Sequence, residues 1–142
     1  MRAWKDRGLR ALAGSAADLV TASVPRPPVY TLTYVPADPD RRLQRGYNPA
    51  EQLARELARR WQLPAVALLE RAGGIRPQRG LSLAERRKNV KDAFRAAARP
   101  PSALVLVDDV YTSGATVSAA ATALRRAGAR HVEVITFARA VR

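Results

Sequence analysis

The chain has 142 residues, 47% of them apolar, which is enough to fill one core and excludes wholesale disorder. Its 25 basic residues outnumber 12 acidic ones, for a net charge of +13, and Lys5, Lys88 and Lys91 are the only lysines; this arginine excess suits phosphate or nucleic acid, and a coding habit favouring Ala, Arg and Pro accounts for it equally well. With no cysteine and a single histidine, disulfides, thiolate nucleophiles and cysteine-ligated zinc are excluded within the chain, and no zinc is expected.

Residues 2–22 place Leu9, Leu12, Ala13, Ala16, Leu19 and Val20 at helical spacing, which predicts an amphipathic helix. This start lacks the continuous apolar region and cleavage site of a secretory signal, and no run is long enough to span a bilayer. The expectation is a cytoplasmic protein with no membrane insertion. Pro25, Pro27 and Pro28 make a connector, so residues 1–28 read as helix plus connector and residues 29–142 as an α/β core, one domain in all. Residues 29–35 read as a strand closed by Pro36, and residues 37–47 as a polar loop. Asn48 can cap the next helix, with Pro49 at its first position and Glu51 completing a capping-box-like pattern; Leu53, Leu57 and Trp61 supply its buried stripe.

Residues 65–69 read as a short buried strand, and residues 71–80 (RAGGIRPQRG) as a mobile loop. A capping box from Ser82 to Glu85 opens a short helix to about residue 90. Residues 103–107 are continuously apolar, as a strand covered on both faces must be. A helix over 116–127, stopped by Gly128, and a strand over 132–138 follow, with His131 as the polar residue at that strand's start. Strand, loop, helix and strand make a right-handed βαβ unit, and the fold class is α/β with a mostly parallel sheet flanked by helices.

In such folds functional loops lie at the carboxyl ends of the strands. Beyond Val107, read as the strand's last residue, come Asp108, Asp109, Val110, Tyr111, Thr112, Ser113, Gly114, Ala115 and Thr116. The segment from Thr112 to Thr116 offers hydroxyls, a glycine and backbone N–H groups at a helix start, which suit a phosphate dianion. Asp108 and Asp109 suit ribose hydroxyls or a Mg²⁺ reached directly or through water. Simple capping of the turn and helix explains one or two of these residues but not the whole string. The missing lysine excludes a Walker loop, and the missing spaced glycines exclude a dinucleotide fingerprint.

VLVDDVYTSGAT closely resembles the phosphoribosyl pyrophosphate-binding motif of type I phosphoribosyltransferases. RGYN at 45–48, the block RAGGIRPQRGLSLAERRKNVKDAF at 71–94 and the Lys5-x-x-Gly8 start resemble the ComF-type family within that superfamily. The resemblance implies Mg²⁺-dependent phosphoribosyl transfer with pyrophosphate release, and ribose-phosphate binding by Asp108, Asp109, Thr112, Ser113, Gly114, Ala115 and Thr116. It implies pyrophosphate binding by Val35, Pro36, Ala37, Arg45 and Arg86, catalytic roles for Asp108, Asp109, Arg76 and Arg79, and a loop over residues 71–89 that closes on the ligand.

There are departures from the family pattern. The family's N-terminal cysteine zinc module is absent, and its RGFNQ signature ends here in Pro49. Ile75 stands where the loop usually has Thr, and Thr112 where purine phosphoribosyltransferases carry an Asp, which disfavours purine salvage. Two alternatives to the enzyme stay open: a module that senses a ribose-phosphate or nucleotide without turnover, and a ComF-like DNA-uptake accessory holding single-stranded DNA. The acceptor and the oligomeric state are also open, a homodimer included.

Overall fold

The computed structural model describes residues 2–29, 31–72, 82, 84–85, 92–111 and 113–139. Its elements in chain order are α1 (Arg2–Ser23), β1 (Leu32–Tyr34), α2 (Pro39–Arg45), α3 (Pro49–Trp61), β2 (Leu69–Arg71), β3 (Phe94–Ala96), β4 (Ala103–Tyr111), α4 (Ala115–Arg126) and β5 (His131–Arg139). A parallel sheet runs in the order β1-β4-β5, and β2 and β3 form a separate antiparallel pair. Leu32, Thr33 and Tyr34 lie opposite Val105, Leu106 and Val107, while β5 pairs with β4 from Ala103 to Tyr111.

The central strand is covered on both sides, as its unbroken apolar run predicts. Leu104 and Leu106 pack with Val117, Ala120 and Leu124 of α4 and with Leu69 and Phe94 of the β2–β3 pair. Val105 and Val107 pack with Ala16, Ala17 and Val20 of α1 and with Leu53, Leu57 and Trp61 of α3. The period of two along the strand sends alternate residues into these two half-cores.

Several elements differ from the sequence expectation. Residues 37–47 are not all loop, because α2 forms within them: Asp38 caps it by accepting from the Asp40 N–H (3.0 Å), Pro39 opens it and Gly46 ends it at φ 76°. The expected strand at 65–69 is a single bridge from Ala65 to Leu32, and the paired residues are Leu69–Arg71. The first strand shortens from 29–35 to three residues, and β4 runs past Val107 to Tyr111, so the acidic pair lies on the strand itself. In α1 the buried stripe is Ala16, Ala17 and Val20, while Leu12 and Leu19 stay 64% and 61% exposed. Glu51 pairs with Arg55 rather than closing a capping box.

The reciprocal Ser82–Glu85 hydrogen bonds do form, at 2.8 and 3.2 Å; residues 86–90 of that expected helix lie outside the described residues. Among the described residues, no helix is long and apolar enough to cross a membrane.

Candidate functional site

A cavity of about 370 Å³ opens where β1 and β4 end. Its floor is Asp108 and Asp109. Val35, Pro36, Ala37 and Asp38 form one wall, Arg45, Tyr47, Asn48 and Pro49 a second, and Arg71, Val110 and Thr116 complete it. Sequence positions far apart meet here because parallel strands deliver their carboxyl ends, and the loops that follow them, to one edge of the sheet.

The turn after β1 is held from three directions. The Val35 N–H donates to the Val107 carbonyl (3.0 Å), extending the sheet ladder by one bond. The Asn48 side-chain amide donates to the Val35 carbonyl (2.9 Å), and Arg71 Nε donates to the Pro36 carbonyl (3.2 Å). Arg71 also lies over the Phe94 ring, 5.0 Å from its centroid, a stacking that fixes a planar guanidinium better than it would an ammonium.

Asp108 is the buried member of the acidic pair, only 7% exposed. Burial first, then the negative charge of Asp109, pushes its carboxyl up to about 7, with Arg71 pulling the other way. Its Oδ1 accepts from the Asp109 N–H (2.9 Å). The two carboxylates serve different neighbourhoods. Asp108 also lines a small crevice with Tyr111, Gly114 and Thr116, whereas Asp109 also lines an apolar cleft with Leu12 and Phe137.

Gly114 stands at the N-cap of α4 at φ 78°, in the left-handed region, and among the described residues no side-chain cap bond closes the helix start. Ser113 Oγ accepts a long hydrogen bond from the Ala115 N–H, at 3.4 Å. Acidic residues are absent from the first turn, so its N–H groups and the helix dipole favour an anion. A Cβ at Gly114 would strike the Tyr111 ring, at 2.8 Å from Cζ. The close packing of that ring under the turn requires glycine.

Of the residues singled out from the sequence, Val35, Pro36, Ala37, Arg45, Asp108, Asp109 and Thr116 share the main cavity, and Gly114 joins Asp108 and Thr116 in the adjoining crevice. Ser113 and Ala115 adjoin Gly114 in the chain but line neither. Thr112, Arg76, Arg79 and Arg86 lie outside the described residues. Sequence reasoning placed Arg71 at the opening of the loop over 71–89 that closes on the ligand but gave it no contact of its own, and took Tyr47 and Asn48 as part of the RGYN signature, Asn48 also as a cap, without a ligand role. The RGYN string was the available signal for the last two, and Arg71 opens the RAGGIRPQRG block.

No protein-family profile matches the chain. Its fold is similar to that of glutamine phosphoribosylpyrophosphate amidotransferase from B. subtilis complexed with ADP and GMP, with a TM-score of 0.62 at 22% identity, covering 88% of this chain and 26% of that one. The allosteric regulatory enzyme of purine biosynthesis gives 0.60 at 18% identity, covering 90% and 26%. At this identity the likeness concerns the fold. Competence protein F of Haemophilus influenzae is 37% identical over 105 residues, 70% of this chain and 46% of that protein. DNA utilization protein YhgH of Escherichia coli K12 is 36% identical over 105 residues, covering 70% and 45%. The chain belongs to the ComF-type family. It spans about half the length of the curated ComF-type relatives it matches, and Competence protein ComFC of Streptococcus pneumoniae, 28% identical over 114 residues, fits the same pattern.

Proposed function

We propose that the chain binds phosphoribosyl pyrophosphate, or a related ribose 5-phosphate compound, and transfers the phosphoribosyl group to an acceptor with release of pyrophosphate. One observation carries the reading: a single cavity joins an acidic pair with one member buried, the first turn of α4, an anchored backbone turn and two arginines. In this reaction the bond from ribose C1 to the pyrophosphate oxygen breaks, and its electrons leave with the oxygen. An acceptor lone pair forms the new bond to C1, and the acceptor proton passes to pyrophosphate or water. The protein's contribution is positioning and charge compensation. Residues 113–116 hold the 5-phosphate, Asp108 and Asp109 face the ribose hydroxyls, and the turn at Val35–Ala37 with Arg45 and Arg71 receives the pyrophosphate.

The donor set fits Mg²⁺. Asp108 and Asp109 offer hard oxygens, and no group of three or more Asp, Glu, His or Cys side chains able to form a closed metal cage occurs among the described residues. Mg²⁺ characteristically binds through one or two carboxylates together with substrate oxygens. When bound, the ion offsets charge on the pyrophosphate. Crowding of a buried carboxylate against its neighbour supports this assignment, because such a pair needs a cation or ligand beside it.

A second reading, a DNA-handling accessory, is favoured by the names of the relatives, Competence protein F and DNA utilization protein YhgH, and by the net charge of +13. Single-strand binding also draws on exposed aromatic platforms; Trp61 is buried in the core, while Phe137 is exposed. Titration calorimetry with phosphoribosyl pyrophosphate, ribose 5-phosphate and a single-stranded oligonucleotide, each with and without Mg²⁺, separates the two. The phosphoribosyl reading expects the pyrophosphate-bearing sugar to bind tightest and to need Mg²⁺. Folded protein that binds the oligonucleotide but neither sugar overturns it.

A further inference from the structure

Beside the main cavity lies a second opening of about 240 Å³ between α1, α3 and the end of β5. The two share Arg45, Tyr47, Pro49, Asp109 and Val110 as walls, so they are neighbouring chambers of one depression. Their chemistry differs. Of the described residues that line the second chamber alone, Gln52 is the single polar one, and Leu12, Leu53 and Phe137 are among the rest. Its charged and hydroxyl-bearing walls, Arg45, Tyr47 and Asp109, all stand on the side shared with the polar cavity.

Leu12, Phe137 and Val110 are 64%, 44% and 41% exposed. Three large apolar side chains left in water around one concavity have no role in the core, and such patches mark binding sites. The volume falls below the range of about 300–1,000 Å³ common for drug-sized ligands, which limits an occupant to one small ring system.

We infer that this cleft is the acceptor subsite and that it takes a planar, mostly apolar aromatic ring bearing a polar atom on the edge turned toward Asp109. The inference rests on the phosphoribosyl reading of the adjoining cavity. It also makes α1 a specificity-determining element, through Leu12. A nucleobase such as adenine, polar along several edges, would turn some of its donors and acceptors away from Arg45, Tyr47 and Asp109 onto Leu12, Leu53 and Phe137, where Gln52 is the polar side chain among the described residues, and unanswered polar groups are costly. An indole-like ring, apolar except for one N–H, meets no such penalty.

The test uses the full chain and two probes, indole and adenine, observed by saturation-transfer NMR with ribose 5-phosphate measured in parallel by calorimetry. Leu12→Glu and Phe137→Ala alter exposed positions, and thermal melts confirm that each variant is folded. Indole should bind in preference to adenine, and each substitution should weaken indole by about ten-fold or more while ribose 5-phosphate affinity stays within about two-fold. Indole that binds no better than adenine, or that is indifferent to both substitutions, overturns the subsite; ribose 5-phosphate binding in the same samples then leaves the phosphoribosyl reading standing. Indole binding that responds to both substitutions, in protein that ignores ribose 5-phosphate, keeps the ring site and overturns its role as an acceptor subsite.

Discussion

Asn48 joins a helix start to the turn after the first strand: its Nδ2 donates to the Val35 carbonyl at 2.9 Å while its Oδ1 accepts from the Ala50 N–H at 3.1 Å. One buried side chain thus sets where α3 begins relative to the cavity wall formed by Val35, Pro36 and Ala37. Replacing it with Ala removes a helix cap, worth about 1 kcal/mol, and strands a buried carbonyl, at about 1–3 kcal/mol. We expect Asn48→Ala to lose about 2–4 kcal/mol in urea unfolding. Asn48→Asp keeps the acceptor for Ala50 but offers Val35 no donor, so it should destabilise less than Ala while still weakening phosphoribosyl pyrophosphate binding. Equal unfolding midpoints for wild type and Asp would show that the Val35 bond contributes nothing.

Gly114 stands over the Tyr111 ring at φ 78°, and both constraints act on any side chain placed there. The left-handed conformation alone costs a non-glycine residue roughly 1–2 kcal/mol, and the clash with the ring adds to it. Gly114→Val should therefore lower stability modestly and abolish ribose 5-phosphate binding by displacing the backbone donors at the start of α4. Calorimetry on folded variant protein checks this, and unchanged affinity would remove the loop from the phosphate site.

What the sequence revealed about this fold follows from how local each signal is. The apolar run at 103–107 marks a doubly covered strand because burial on both faces demands it residue by residue, and Asn48-Pro49 marks a helix start because capping is a short-range bond. The acidic pair, glycine and hydroxyls identify the candidate site for the same reason, as consecutive residues at a strand end. Helix α2 escaped because Leu43 is its one large apolar residue and is 84% exposed, so no apolar period exists to find; Asp38, Pro39 and Gly46 were its only signals. The β2–β3 pair depends on Leu69 meeting Ala96 and Arg71 meeting Phe94 across a long connection, which no local pattern encodes. Arg71 was expected at the start of the loop that closes on the ligand, and its place on a paired strand in the cavity wall follows from that pairing. The strand's extension to Tyr111 escaped too, because the ladder to β5 rather than apolar character continues it.

The buried acid gives the ligand-free protein a pH dependence of definite sign. Asp108 is pushed from its ordinary 3.8 up to about 7, by burial and then by the charge of Asp109. Between those values the folded protein holds a proton that the unfolded chain has released. The stability associated with the neutral acid is therefore full below about pH 4 and is lost as pH rises through about 7, by an amount on the order of 4 kcal/mol. Urea unfolding at pH 5 and pH 8 should show the fall in wild type. Asp108→Asn cannot ionise yet keeps an oxygen for the Asp109 N–H, so it should flatten the slope and be the more stable protein at pH 8. A slope that survives the substitution assigns the titration to another group.

Arg71 offers the sharpest separation between the two ends of the proposed ligand. Its Nε donates to the Pro36 carbonyl and its guanidinium lies over Phe94, placing the cation beside the turn assigned to pyrophosphate rather than at the helix start assigned to the 5-phosphate. Lysine at this position keeps a positive charge for Asp108 but loses the Nε bond, the planar stacking and any forked contact with phosphate oxygens. Arg71→Lys should accordingly weaken phosphoribosyl pyrophosphate by about ten-fold or more and leave ribose 5-phosphate within about two-fold. If turnover is measured, the rate of pyrophosphate release should fall further than binding does, because charge builds on the leaving group only as its bond to C1 breaks. Calorimetry with both ligands and a single-turnover assay give the three numbers. Equal weakening of the two ligands would mean that Arg71 acts on the fold of the cavity as a whole, and the division of the site into pyrophosphate and phosphate ends would fall with it.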